Sequence, residues 1–385
     1  MRATRVSIAI ALAAAAPFAS ASPAGTTTRA AVRLPAPITI DAGARRFQVE
    51  RNGDIRSVPP RILPFPRDVA WVPGTGAWYA IRHRHLIVGR WRRTLWRSSG
   101  QYQGTLPIGI VTIGHHAVAF SYRTAGAERL YVSSLDGHER RVAPNEFPLG
   151  WTSGGFYAYR YRGHLLLLRT DMGALERVVV RSPASYVYDR TTQSLYFIAG
   201  GSVMWAHGGV NEPLASLRRL QLPVRKPDVE LDPLGRLVEL LTNQRLILLN
   251  LDGSLFAETK LPAPAGELAG TVAVAPDGRA VAYTSLSNSG SSGSTGTETV
   301  YVLRAGGHIA TAVRREHAPD SGCVIQADIQ WHGRWLLYSA TGGYLSVVDS
   351  TARRPATELT NIARRLTSPS SSAFSAYWSG EPPAL

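Results

Sequence analysis

Past residue 66 the apolar residues fall in short runs with period two, broken by Gly, Asp-Gly and Gly-Gly. Side chains alternate across a strand, so this pattern predicts short antiparallel strands joined by tight turns. One unit can be aligned repeatedly along the chain. An aromatic or aliphatic anchor sits in a first strand, a turn follows, and a second strand starts about seven residues later. Trp71 leads in this way into Trp78-Tyr79-Ala80-Ile81, Tyr188 into Leu195-Tyr196-Phe197-Ile198, and Val274 into Val281-Ala282-Tyr283. Val111, Trp151, Leu231 and Trp331 open comparable units.

Third strands are expected at Leu130-Tyr131-Val132, 165–168, 246–249, Val300-Tyr301-Val302 and 345–348, each followed by a weaker fourth. Four short strands recurring every ~40–45 residues is the spacing of β-propeller blades. A β-sandwich would not repeat so regularly, and a solenoid has a shorter period. The ends suggest how the ring closes. Ser375-Ala376-Tyr377-Trp378-Ser379-Gly380 resembles one more first strand. Residues 38–66, with Ile38-Thr39-Ile40, Arg46-Phe47-Gln48-Val49 and an Asn52-Gly53 turn, have the length of a blade lacking its first strand. Joining the two leaves no open sheet edge. The expectation is an all-β propeller of eight four-stranded antiparallel blades, one split between the termini. Seven blades with appended ends is the alternative.

Residues 274–285, Val-Ala-Pro-Asp-Gly-Arg-Ala-Val-Ala-Tyr-Thr-Ser, together with 300–302, resemble the repeat unit of the TolB-like and WD-repeat-like families of exported β-propellers. Residues 117–121 with Leu130-Tyr131-Val132 and Asp136-Gly137 match its second half, and 331–339 a shortened version. The resemblance spans most of the chain, but Pro-Asp-Gly is intact only once. It implies a fold and an exported location, and no shared partner, because this fold hosts many functions.

The N-terminus agrees with export. Arg2 and Arg5 precede an apolar stretch from Val6 to Ala16, and Ala19-Ser20-Ala21 supplies small residues for cleavage. Residues 1–21 are expected to be a signal peptide cleaved near Ala21. Residues 22–37, rich in Ser, Pro, Ala and Thr, are expected to form a flexible exposed leader, and 38–385 a single propeller domain. The location is then periplasmic, cell-surface or extracellular. No other segment approaches about 18 consecutive apolar residues, so no span is expected in the mature chain.

Composition narrows the chemistry. At 44% hydrophobic and 18% charged, the 385 residues can bury a large core, which excludes wholesale disorder. The one cysteine, Cys323, excludes an internal disulfide framework and any multi-cysteine zinc site. Lys+Arg number 42 against 27 Asp+Glu, a net charge of +15 that becomes +13 without Arg2 and Arg5. The cations are nearly all arginine, with lysine only at Lys226 and Lys260.

Chain direction reverses at each hairpin, which sorts loops onto two faces. Loops between strands one and two, and three and four, share a first face, where His115, His116, His138, His308 and His332 fall. Loops between strands two and three, and from four to the next blade, share a second. His83, His85, His164, His317, the Gly/Ser insertion 285–297 and the 317–323 connection belong there; His207 is ambiguous. These imidazoles lack spaced partners, so no metal or other cofactor is expected. Asp136-Gly137, Asp252-Gly253 and Asp277-Gly278 are explained by turns that require positive φ, not by calcium. His317, Asp320 and Cys323 could suggest a thiol nucleophile, but Cys323 fits better as a small apolar residue opening a strand. No Gly-x-Ser-x-Gly elbow, phosphate-binding loop or His-Glu-x-x-His occurs, and no small-molecule substrate is indicated.

One stretch stands apart. Residues 81–100 hold Arg82, Arg84, Arg90, Trp91, Arg92, Arg93 and Arg97, along with Trp96, and no acid. Arginine forks pair with phosphate and carboxylate, and indoles add stacking. The simpler account is charge on an outer blade edge that deters aggregation. The functional expectation is a non-enzymatic binding or scaffold module for an envelope protein or anionic polymer. The rival class is a lyase or hydrolase with its site in the axial funnel.

Overall fold

The computed structural model describes residues 33–42, 45–59, 69–72, 76–98, 108–124, 127–224, 229–242, 244–261, 272–287, 297–317, 327–340, 344–366 and 375–380. The period-two runs form eight four-stranded antiparallel sheets. Blade 1 pairs Ser375–Trp378, Ile38–Ala42, Arg45–Val49 and Ile55–Val58 in that order. Blade 2 pairs Ala70–Val72, Ala77–Arg82, His85–Arg90 and Arg93–Arg97. Blades 3 to 8 follow in chain order over 108–144, 146–181, 185–216, 230–260, 273–317 and 327–358. First strands touch first strands between blades 3 and 4, 4 and 5, 5 and 6, 7 and 8, and 8 and 1, so these strands lie nearest the axis. The architecture is an eight-bladed β-propeller.

Neighbouring blades pack face to face from blade 2 through blade 8 to blade 1, which is why the second and third strands of blades 3 to 8 are largely apolar. Leu86, Val88 and Trp96 of blade 2 pack on Val118 and Phe120 of blade 3. Leu237, Leu246 and Leu248 of blade 6 pack on Val281 and Tyr283 of blade 7. Burying one such side chain contributes roughly 1.5–3 kcal/mol. The sequence pattern gave no hint of one regularity. In blades 2 to 7 the third strand slips register against the fourth, between Val88 and Gly89, Leu130 and Tyr131, Leu166 and Leu167, Val203 and Met204, Leu248 and Leu249, and Val300 and Tyr301. A bulge there increases the local twist of the outer edge.

The chain ends meet as expected. Ile38, Thr39, Ile40 and Asp41 pair with Trp378, Tyr377, Ala376 and Ser375. Side chains lock the joint: Tyr377 Oη donates to Asp41 Oδ2 at 2.9 Å, and Thr39 Oγ1 lies 2.8 Å from Ser379 Oγ. Trp378 is fully buried and its indole donates to the Gln330 carbonyl of blade 8 at 3.3 Å.

One expectation is corrected. The leader was expected to extend exposed to residue 37, yet Leu34 and Ala36 are buried against Ile38, Ile40 and Val49. The Leu34 amide also bonds to the Arg51 carbonyl at 2.8 Å. The fourth strand of blade 8 is only Thr357–Glu358 and is followed by a helix, Thr360–Leu366. Leu359, Ile362, Ala363 and Leu366 lie at helical spacing and press on the same cluster. Cys323 and Asp320 lie outside the described residues. The Asp-Gly turns behave as expected, with φ of 106°, 81° and 67° at Gly137, Gly253 and Gly278.

Candidate functional site

The seven residues singled out on blade 2 do not form one patch. His83 and Arg84 make the two-residue turn between second and third strands, both at positive φ, which leaves Arg82 and Arg84 exposed on the second face. Arg97 closes the fourth strand at that same end. Arg90, Trp91, Arg92 and Arg93 surround the opposite turn, on the first face. A six-residue strand separates the two groups, a distance of roughly 17 Å. Trp96 is buried against Phe120, with ring centroids 5.9 Å apart, and serves the core. His85 is buried too, its Nδ1 3.0 Å from the Ser98 carbonyl.

Trp91 is held at the surface by its surroundings. Its backbone sits at φ 51°, and its indole lies so close over Gly76 that a Cβ there would come within 2.6 Å of the ring. Its amide donates to the Gly76 carbonyl at 2.8 Å, and its carbonyl accepts from Trp78 Nε1 at 2.6 Å. The side chain remains 54% exposed.

Arg90 lines a cavity of about 960 Å³ at the first-face mouth, shared with His115 and His116 of blade 3, Trp151 of blade 4 and Arg190 of blade 5. The walls are the strand-one-to-two turns of blades 3, 4 and 5, together with the end of the blade 2 third strand. Gly114 lets the Trp151 ring lie flat on the backbone, since a Cβ there would meet it at 2.7 Å. No aspartate or glutamate lines the cavity among the described residues. The nearest in sequence, Asp189, is buried and caps its own turn, accepting from the Thr191 amide at 2.8 Å and Thr192 Oγ1 at 2.7 Å. Arg90 Nε and Trp151 Nε1 are buried donors without a hydrogen-bond partner among the described residues. An unmade bond at a buried donor costs about 1–3 kcal/mol.

The axis has the opposite sign at blade 6. Glu230 and Asp232 stand on its first strand, and Glu239 is directly opposite Asp232 on the second. Glu239 is 4% exposed. Burial first, and then the charges of Asp232 and Glu230, push its carboxyl up to about 8. Asp232 is raised by burial and by Asp189. Among the described residues, no group of three or more His, Cys, Asp or Glu is arranged to hold a metal.

The loop sorting places His115 and His116 at the first-face turn they were assigned to, and puts His207 on that face as well, at the end of a third strand. The sequence stretch found Arg90 but missed Arg190 and Trp151. Their signal was topological: each follows or ends a first strand, so three consecutive blades deliver equivalent turns to one mouth.

No family model matches the chain, and no curated protein matches it. Among solved structures, BamB from Moraxella catarrhalis is 9% identical over 76% of this chain and 87% of its own, with a TM-score of 0.41. Hsv2 of Kluyveromyces lactis is 10% identical over 71% and 89%, at 0.42. A Mycobacterium tuberculosis puromycin-hydrolyzing peptidase is 13% identical over 64% and 36%, at 0.31. Similarity this low bears on neither function nor partner. The likeness to TolB-like and WD-repeat-like propellers holds for the fold. No helix among the described residues is long and apolar enough to cross a membrane.

Proposed function

We propose that this chain is an exported, non-enzymatic binding module that holds an anionic component of the cell envelope at its first-face mouth. One observation carries the reading: a 960 Å³ cavity lined by Arg90, Arg190, His115 and His116, with no carboxylate among its described lining residues. A concave site of one sign focuses its field and concentrates oppositely charged ligands. Guanidinium forks give phosphate or carboxylate two parallel bonds, and the Trp151 indole supplies an apolar wall. Arg92 and Arg93, on the adjoining turn, extend the positive field outward. Export rests on the N-terminal pattern of Arg2, Arg5, the 6–16 apolar stretch and Ala19-Ser20-Ala21.

Binding of long-chain inorganic polyphosphate, followed by fluorescence anisotropy across a salt series, tests this. Affinity is expected to fall log-linearly with salt, as counterion release requires. Replacing Arg90 and Arg190 together by Ala should weaken binding by roughly tenfold or more and flatten the slope. His115→Ala with His116→Ala, at exposed turn positions, serves as a second variant if the arginine pair disturbs folding. Salt-independent binding, or affinity unchanged in both variants, contradicts the reading.

A further inference from the structure

Blade 5 departs from its neighbours at one register position. The second residue pair beyond the slip between third and fourth strands, on the turn side, is Arg90 with Arg93 in blade 2. It is Val132 with Arg140 in blade 3 and Leu168 with Arg177 in blade 4. In blade 5 it is Trp205 with Glu212. The fourth-strand residue is arginine in three successive blades and glutamate in the next. Tyr196 stands opposite Trp205 on the second strand, so Tyr196, Trp205 and Glu212 form a row across one face of the sheet. His207, two residues on, shares that face. Its ring lies parallel to the indole with centroids 5.8 Å apart, and its Nδ1 is 3.3 Å from Ser194 Oγ.

This row and the third-to-fourth-strand turn of blade 6 enclose a cleft of about 530 Å³, within the size range of small-ligand sites. Gly253 lets the turn approach, since a Cβ there would collide with the Leu214 carbonyl of blade 5. Asp252, beside it, lines the cleft together with Glu212, and both are exposed. Asp252 caps its own turn through Oδ1, which accepts from the Ser254 amide at 2.9 Å and Ser254 Oγ at 2.6 Å. These bonds hold its carboxyl below the usual carboxylate range, so it stays ionised. No arginine or lysine lines the cleft among the described residues. One turn of blade 5 divides the two signs: Arg190, Thr191 and Gln193 line the cationic mouth, whereas Thr192 lines the cleft.

Two carboxylates without a competing arginine or lysine select a cation. A metal ion is held by a shell of oxygen or nitrogen donors and gains nothing from an indole wall. An ammonium group on an alkyl stem gains from both parts of this cleft. The carboxylates pair with its head, while aromatic rings attract the charge and cover the stem. The geometry points to a binding site for an alkylammonium group in this cleft, whether carried by a lysine side chain or by a free amine. This goes beyond the anion-binding reading and rests on different residues.

Calorimetric titration of the chain from residue 22 tests it with three probes. They are n-pentylammonium, N-acetyl-lysine methylamide and N-acetyl-norleucine methylamide, which keeps the lysine stem without its charge. Both cations should bind, and the norleucine compound far less. Equal affinity of the two cations assigns recognition to head and stem alone, and tighter binding of the lysine compound assigns the source to a protein chain. Glu212→Gln should weaken both cations by roughly tenfold, and Asp252→Asn, which keeps the turn, should act in the same direction. Neither change should move the thermal midpoint or abolish polyphosphate binding, so failure at the cleft and failure at the mouth are separable. The proposal is overturned if neither cation binds at millimolar concentration, if the norleucine compound binds equally, or if both variants keep full affinity. Calcium or glucose binding that the Glu212→Gln chain loses, without binding of either amine, equally overturns it.

Discussion

Replacing Glu146 by Ala is expected to lower stability by about 3–5 kcal/mol, the cost of leaving a buried charge unpaired. Glu146, in the first strand of blade 4, is fully buried. It accepts two bonds from Arg169, Nε to Oε2 and Nη2 to Oε1, both at 2.8 Å, and a third from Arg160 Nε at 2.5 Å. Arg169 is nearly as buried, and its other bonds are to the Gly173 carbonyl at 3.1 Å and to the half-exposed Glu176 at 2.8 Å. Without Glu146 the guanidinium keeps only these, far from bulk water. Urea unfolding at neutral pH measures the effect. A double replacement, Glu146→Leu with Arg169→Met, should recover most of the loss, because removing both charges removes the unpaired one. A single-variant loss below about 1 kcal/mol would mean the network is a surface feature, where ion pairs contribute about that little.

Glu239 gives the second large effect, and its sign is opposite to the usual carboxylate. Burial beside Asp232 and Glu230 raises its folded value to about 8 from an ordinary 4.5. Between those values the folded chain binds the proton and the unfolded chain does not. Its contribution is therefore fully present below about 4.5 and is lost as pH rises toward 8. The ceiling is about 4–5 kcal/mol, from 1.36 kcal/mol for each unit. Glu239→Gln keeps the shape and cannot ionise. Its stability should vary less between pH 5 and 9, and at pH 9 it should exceed the parent's. An equal fall with pH in both chains would contradict the assignment. Glu176, held low chiefly by its bond to Arg160, acts in the other direction and loses its contribution as pH falls.

What was legible in the sequence follows from how local the causes are. Period-two runs and Asp-Gly turns are local, so the strands around Trp71, Trp151, Tyr188 and Trp331 could be placed in advance. Ring closure was legible because 375–380 repeats a first strand while 38–58 lacks one. Leu34 and Ala36 were missed because two isolated apolar residues among prolines have no period. The helix at Thr360–Leu366 does show helical spacing, but seven residues are too few to form one without tertiary packing. The arginine stretch divides between the two faces for a geometric reason. Residues contiguous in sequence are separated when each two-residue turn reverses the chain, so 82, 84 and 97 go to one face and 90–93 to the other. The mouth depends on three blades converging, and no single segment encodes that.

All of the face assignments depend on the ring closing through pairing of the two chain ends. In a Cys323→Ser background, cysteines at positions 39 and 379 replace side chains whose oxygens lie 2.8 Å apart although 340 residues separate them in sequence. The account predicts that the folded chain forms this disulfide in air, seen as a linked peptide by mass spectrometry, with a raised thermal midpoint. Cysteines that stay reduced in the folded chain, or a cross-link that forms only after unfolding, would contradict the closed eight-bladed ring.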